Sequence, residues 1–190
     1  MEVIREAPLI RYLRWCKKII KIFFLSILFG SFAILLVILY LRSQPLPVAT
    51  ISQTTTIYAN NGEVLDTLHK GINRTVVPSS SIAPSMLEAT VSIEDRYFWQ
   101  HYGFDLKRLA AAVYVDLKNM DKRQGASTIT QQLARNLYLT LDKTWERKIK
   151  EALLTVQLEL NYSKEEILEM YVNQIYYGRS AYGVEAAAQT

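Results

Sequence analysis

The chain has 190 residues, half of them hydrophobic, enough for one ordinary domain and little more. Its single cysteine excludes an internal disulfide framework and any CxxC metal or redox site, and seven glycines with five prolines exclude a collagen-like or low-complexity chain. The net charge of +4 sits entirely before residue 22, where Arg5, Arg11, Arg14, Lys17, Lys18 and Lys21 face only Glu2 and Glu6; the rest is neutral, which argues against nucleic acid as a partner.

Residues 22–41, IFFLSILFGSFAILLVILYL, carry no charge. At about 1.5 Å per residue such a run spans about 30 Å as a helix, enough to cross a hydrocarbon core. The preceding basic cluster places residues 1–21 in the cytoplasm and everything after residue 42 outside. The run exceeds a cleavable signal's apolar region of about 7 to 15 residues and lacks an A-x-A pattern after it, so an uncleaved anchor is expected. Cys16 then lies on the cytoplasmic side beside the membrane, as a palmitoylation site or, in the favoured reading, an incidental thiol.

Residues 42–56 are rich in Pro, Ser and Thr and are expected to form an extended stalk. TIYANNGEVLDTL follows, two short β-type runs around Asn60-Asn61-Gly62 that suggest a hairpin close to the bilayer. From Ser80 the apolar spacing turns helical. Ser81 is expected to cap a helix through Ile82, Met86, Leu87, Thr90 and Val91 to Glu94, with Phe98 and Trp99 as core beyond it. Asp105 should cap a second, with Leu106, Leu109, Ala110, Val113 and Leu117 on one stripe. Residues 128–139 form a third, entered through Gly125-Ala126-Ser127. Asp142 should cap a fourth whose apolar side is Trp145, Ile149, Leu153, Val156 and Leu160. Ser163 with Glu166 makes a capping box for a fifth, stopped at Gly178, and a sixth starts at Tyr182. The chain ends at AAAQT within that helical pattern, so the domain of residues 57–190 is expected to be incomplete.

Three clusters carry candidate chemistry. In EDRYFWQHYGFD, Glu94 and Asp95 are either solvated acids or, walled by aromatics, a carboxylate desolvated for general acid or base work. In GASTITQQLARN, small and hydroxyl residues at a helix entrance favour an anion such as phosphate, or simply cap the helix. Arg147, Lys148 and Glu151 share one helix face, as a surface ion-pair stripe or as a carboxylate among cations suited to a diphosphate. His69 and His101 are the only histidines and neither lies in an HxxxH pattern, so no zinc site is expected.

EDRYFWQHYGFD, GASTITQQLARNLYL, RKIKEALLTVQLE and KEEILEMYVNQIYYGRSAYGVEAAAQ, in this order, resemble four signature motifs of the family 51 glycosyltransferases, the peptidoglycan transglycosylases. The stretch from about residue 56 onward looks most like the N-terminal part of a class A penicillin-binding protein. The resemblance implies a mainly α fold: a transmembrane helix followed by a lysozyme-like helical domain with a small β element near the membrane. It implies a bacterial cell-membrane protein of single-pass type II topology that polymerises lipid II onto a growing glycan strand. Cell-division or elongation proteins are further partners in such a setting.

By the same resemblance Glu94 is the general base and Glu151 the second glutamate, beside the donor diphosphate and holding a divalent cation, Mg²⁺ or Mn²⁺. Asp95, Phe98, His101, Ser127, Thr128, Gln132, Arg135, Asn136, Arg147 and Lys148 match positions of the substrate site. Family domains run some tens of residues further, so low or no activity is expected of these residues alone. No Ser-x-x-Lys nucleophile stands in a suitable context, so no penicillin acylation is expected of them either. Two other functions fit the same acids: a lysozyme-like glycan hydrolase, disfavoured by the cationic cluster, and a non-enzymatic protein that binds lipid II.

Overall fold

The computed structural model describes residues 8–49, 54–68, 72–119, 127–140, 142 and 144–190, in two units, Met1–Gln44 and Pro45–Thr190. The first unit is helix α1, Pro8–Ser43. Its stretch Tyr12–Ser43 is long and apolar enough to cross a membrane. The helix therefore extends N-terminally beyond the expected anchor and takes the cationic residues from Arg14 to Lys21 into the same rod. Ser26, one of two serines inside the apolar run, donates its hydroxyl to the Phe23 carbonyl at 2.8 Å and so needs no partner from outside the helix.

In the second unit, β1 (Thr55–Tyr58) and β2 (Val64–Leu68) form the expected antiparallel hairpin. Its turn closes through Gly62 N–H to the Ala59 carbonyl at 2.9 Å and Ala59 N–H to the Glu63 carbonyl at 2.7 Å. A second sheet, which the sequence pattern does not announce, orders β3 (Asn73–Arg74), β5 (Ala181–Tyr182) and β4 (Tyr176–Gly178), with β5 central. Gly178 is thus a strand residue rather than a helix stop, and Tyr182 lies in β5. Helix α7, Val184–Gln189, starts after Gly183. Gly183 has φ +86°, and a Cβ there would stand 2.6 Å from the Asn173 carbonyl oxygen, so only glycine turns this corner.

The helices are α2 (Pro84–Glu94), α3 (Leu106–Asn119), α4 (Ile129–Tyr138), α5 (Trp145–Asn161) and α6 (Lys164–Gln174). Two caps fall elsewhere than expected. α2 begins at Pro84 after Ala83, because proline lacks the N–H that a first-turn residue would leave unpaired; Ser81 belongs to a preceding 3₁₀ turn. α5 is capped by Thr144, whose hydroxyl oxygen accepts from Arg147 N–H, while Asp142 accepts from the Thr140 hydroxyl at 3.1 Å. The capping boxes Thr128/Gln131 and Ser163/Glu166 are both formed.

α4 packs against α5 and α6 around a core of Phe98, Ile129, Leu133, Leu158, Ile167, Tyr171 and Val172. Glu159 ties the three helices together, accepting from the Thr130 hydroxyl at 2.6 Å and pairing with Lys164 at 2.7 Å. The expected apolar stripes are not this core. On α5, Trp145, Ile149 and Leu153 are exposed and Val156 and Leu160 only half-buried, whereas Glu151, Leu154, Thr155 and Leu158 face inward. On α3, Leu106, Leu109 and Ala110 are exposed and Ala112 is buried; the side chains of Val113 and Leu117 lie outside the described ones. Trp99, expected in the core, is also exposed.

Candidate active site

Glu94 is the last residue of α2 and is half-buried. The helix ends there because Asp95 leaves helical geometry, at φ −156°, and turns its side chain inward. Asp95 is fully buried rather than solvated. Its carboxylate accepts from the Ile129 N–H at 3.0 Å, in the first turn of α4, and pairs with Nε2 of His101 at 2.9 Å. The anion favoured by the α4 N-terminus is therefore the chain's own, which corrects the phosphate reading of that helix entrance. Gly125 and Ala126 lie outside the described residues, and Ser127 is half-buried beside them.

Thr128 is also fully buried. Its hydroxyl donates to the Gly103 carbonyl at 2.7 Å and accepts from Gln131 N–H at 3.2 Å. Gly103 has φ +79°, and a Cβ on it would lie 2.6 Å from Cγ2 of Thr155, so glycine alone lets this loop reach the cap. Phe98 is fully buried and packs edge-on against Trp99 with ring centroids 5.1 Å apart. Asp95, Phe98 and Thr128 thus have no surface for a ligand in this structure: they hold the loop after Glu94 onto α4. We expect Asp95→Ala to lower stability by about 2–4 kcal/mol, since it leaves a buried N–H and an imidazole without their acceptor. Urea denaturation checks this; a loss under about 1 kcal/mol would show that solvent replaces the carboxylate there.

One turn into α4, Gln132 bridges two elements. Its Nε2 donates to Oε2 of Glu94 at 2.8 Å, and its Oε1 accepts from the Tyr171 hydroxyl of α6 at 3.0 Å. Arg108 of α3 reaches the Glu94 backbone carbonyl at 2.5 Å. Arg135 is half-buried on the following turn, and Asn136 is exposed, with its carbonyl facing Gln174 at 3.4 Å. Arg108 lies outside the quoted motifs, and Tyr171 lies inside the fourth without being singled out, because their partners are distant in sequence. The available signal is that a tyrosine inside an apolar helical stripe needs a partner for its hydroxyl.

On α5, Glu151 is fully buried and both oxygens are engaged, Oε2 by Arg147 Nη1 at 3.1 Å and Oε1 by the Lys148 ammonium. Lys148 remains 43% exposed and Arg147 16% exposed, so the cations and not the carboxylate meet solvent. Nε of Arg147 is buried and has no hydrogen-bond partner among the described residues. A resident metal ion does not fit this arrangement. Both oxygens of Glu151 already face cations, and no cluster of three or more His, Cys, Asp or Glu suited to a metal occurs among the described residues. The arrangement suits an anion on Arg147 and Lys148, with Glu151 holding both cations in place.

A family model described as Transglycosylase matches residues 61–190. Penicillin-binding protein 2D of Bacillus subtilis is 49% identical to the chain, covering 97% of it and 27% of that relative. Penicillin-binding protein 1F of the same organism is 44% identical over 70% of the chain and 18% of its own length. Penicillin-binding protein 1A of Aquifex aeolicus is 46% identical over 74% of the chain and 19% of its own length. The chain thus spans about a quarter or less of the curated relatives it matches. With the family match extending over more than half of its residues, through the loop of Glu94, the bridge of Gln132 and the cations around Glu151, this chain belongs to the transglycosylase family.

Proposed function

We propose that the chain is a peptidoglycan glycosyltransferase, or the N-terminal part of one, that polymerises lipid II into glycan strands with inversion and release of undecaprenyl diphosphate. The observation that carries this reading is the Glu94 carboxylate, half-buried, with Oε2 held by Gln132 and Oε1 unengaged among the described residues. A carboxylate gripped at one oxygen presents the other as an oriented base. In the proposed step Oε1 takes the proton of the acceptor 4-hydroxyl as that oxygen attacks the anomeric carbon of the donor. The bond to the diphosphate breaks on the opposite face, as inversion requires.

The leaving group is a diphosphate, and Arg147 and Lys148 supply charge and hydrogen bonds for it without a strong general acid. A hydrolase cutting neutral linkages has no such need. A cation taken up with the substrate would be held by diphosphate oxygens rather than by Glu151, whose carboxylate is already shared by two side-chain cations. The lipid tail of the substrate accounts for an anchor of the α1 type, in single-pass type II orientation with the domain on the extracytoplasmic side. The exposed stripe Trp145, Ile149 and Leu153 beside Lys148 and Lys150 has the composition of a surface that meets lipid headgroups and acyl chains.

The test is incubation of the detergent-purified chain with lipid II, with products resolved by length. Strands longer than the disaccharide unit, formed slowly, are expected. Shortening of preformed glycan would identify a hydrolase instead, and an unchanged substrate would remove the catalytic reading for this chain.

A further inference from the structure

Tyr171 stands 77 residues beyond Glu94 in the sequence and touches no atom of the proposed reaction, yet two hydrogen bonds connect it to the carboxylate that does. It is 2% exposed, locked in the core between α4 and α6. Its hydroxyl donates to Oε1 of Gln132 at 3.0 Å, and Nε2 of the same amide donates to Oε2 of Glu94 at 2.8 Å. The two ends of a carboxamide are almost the same size, so packing alone does not choose between them. Turned over, Gln132 would set its oxygen against the Glu94 carboxylate, acceptor against acceptor. The Glu94 carboxylate, which can only accept, rules this out, and Oε1 is thereby turned toward α6, where the Tyr171 hydroxyl donates to it and pins the amide in place. Burial, and next the nearby Glu94 carboxylate, push the Tyr171 hydroxyl up from its ordinary range, so it remains a donor under alkaline conditions.

We propose that Tyr171 is a positioning residue for glycosyl transfer: its hydroxyl anchors the oxygen end of the Gln132 amide, which fixes Oε2 of Glu94 and leaves Oε1 aimed at the acceptor. The proposal rests on Glu94 being the base, and its test is built so that the two can fail separately.

Tyr171→Phe keeps the ring in its core site and removes only the hydroxyl. In a lipid II polymerisation assay this variant should lose about tenfold in kcat with KM unchanged, the loss of one net hydrogen bond in the transition state. In a Gln132→Ala background the same change should cost nothing more, since the amide it anchors is gone. A purely structural tyrosine would lower activity equally in both backgrounds, and that result would overturn the proposal.

A second measurement does not depend on turnover. The side-chain amide protons of Gln132, assigned by their disappearance in Gln132→Ala, should exchange slowly with solvent in the wild-type chain and distinctly faster in Tyr171→Phe. Unchanged exchange overturns the proposal whatever the kinetics show. If the wild-type chain forms no polymer, it is the catalytic reading that fails, and the exchange measurement alone decides whether Tyr171 holds the amide.

Discussion

Glu94→Gln is expected to lower lipid II polymerisation by about 10²- to 10⁴-fold, the usual contribution of a positioned general base. The substitution is nearly isosteric, and its amide oxygen still accepts from Nε2 of Gln132, so the α2–α4 contact survives. What disappears is the capacity to take a proton. The variant should therefore fold with an unchanged circular-dichroism spectrum and retain binding of lipid II, while forming no strands in a length-resolved assay. Retention of more than about a tenth of the activity would mean that another group accepts the proton, and would move the base away from Glu94.

Glu151→Gln should act on both stability and activity. A fully buried carboxylate with a cation on each oxygen is tolerable only as a group of three, because desolvation of one charge is compensated by the other two. With the carboxylate replaced by an amide, Arg147 and Lys148 repel each other beside a group whose NH₂ must face a cation. Breaking a buried pair costs about 3–5 kcal/mol, and the solvent contact of Lys148 brings the expectation here to about 2–3 kcal/mol. Denaturant titration of the variant measures this. Polymerisation should fall further than the folded fraction does, since the two cations would no longer be held together for the diphosphate. Full stability in the variant would show that solvent or a rotated cation replaces the carboxylate, contrary to the burial described.

Much of the framework is legible in local chemistry. The hairpin around Asn60-Asn61-Gly62, the capping boxes of α4 and α6, and the Asp105 cap, whose carboxylate accepts from Arg108 N–H at 2.9 Å, all depend on residues within a few positions of each other. Glu94, Gln132, Arg147 and Glu151 stand out through the resemblance of whole motifs, and the family match covers all of them. α5 defeats the same approach. Its apolar residues recur at helical spacing along Trp145, Ile149 and Leu153, but that face is exposed. The buried face carries Glu151 and Thr155, polar residues made compatible with the interior by partners: Arg147 and Lys148 for the first, the Glu151 carbonyl at 2.7 Å for the hydroxyl of the second. Periodicity counts apolar side chains and cannot register a polar one that arrives with its hydrogen bonds already made.

By itself, the sequence determined the apolar span, the helical succession of the second unit and the four motifs that mark the family. Each of these depends on residue types at short separations, where the geometry of one helix or one turn decides which groups meet. Only the tertiary structure decided that Asp95 is a buried clamp on α4, that Glu151 lies beneath its two cations, and that the Tyr171 hydroxyl donates to the amide holding Glu94. Those contacts join groups tens of residues apart or depend on which helix face is covered, and both are settled when α4 packs between α5 and α6.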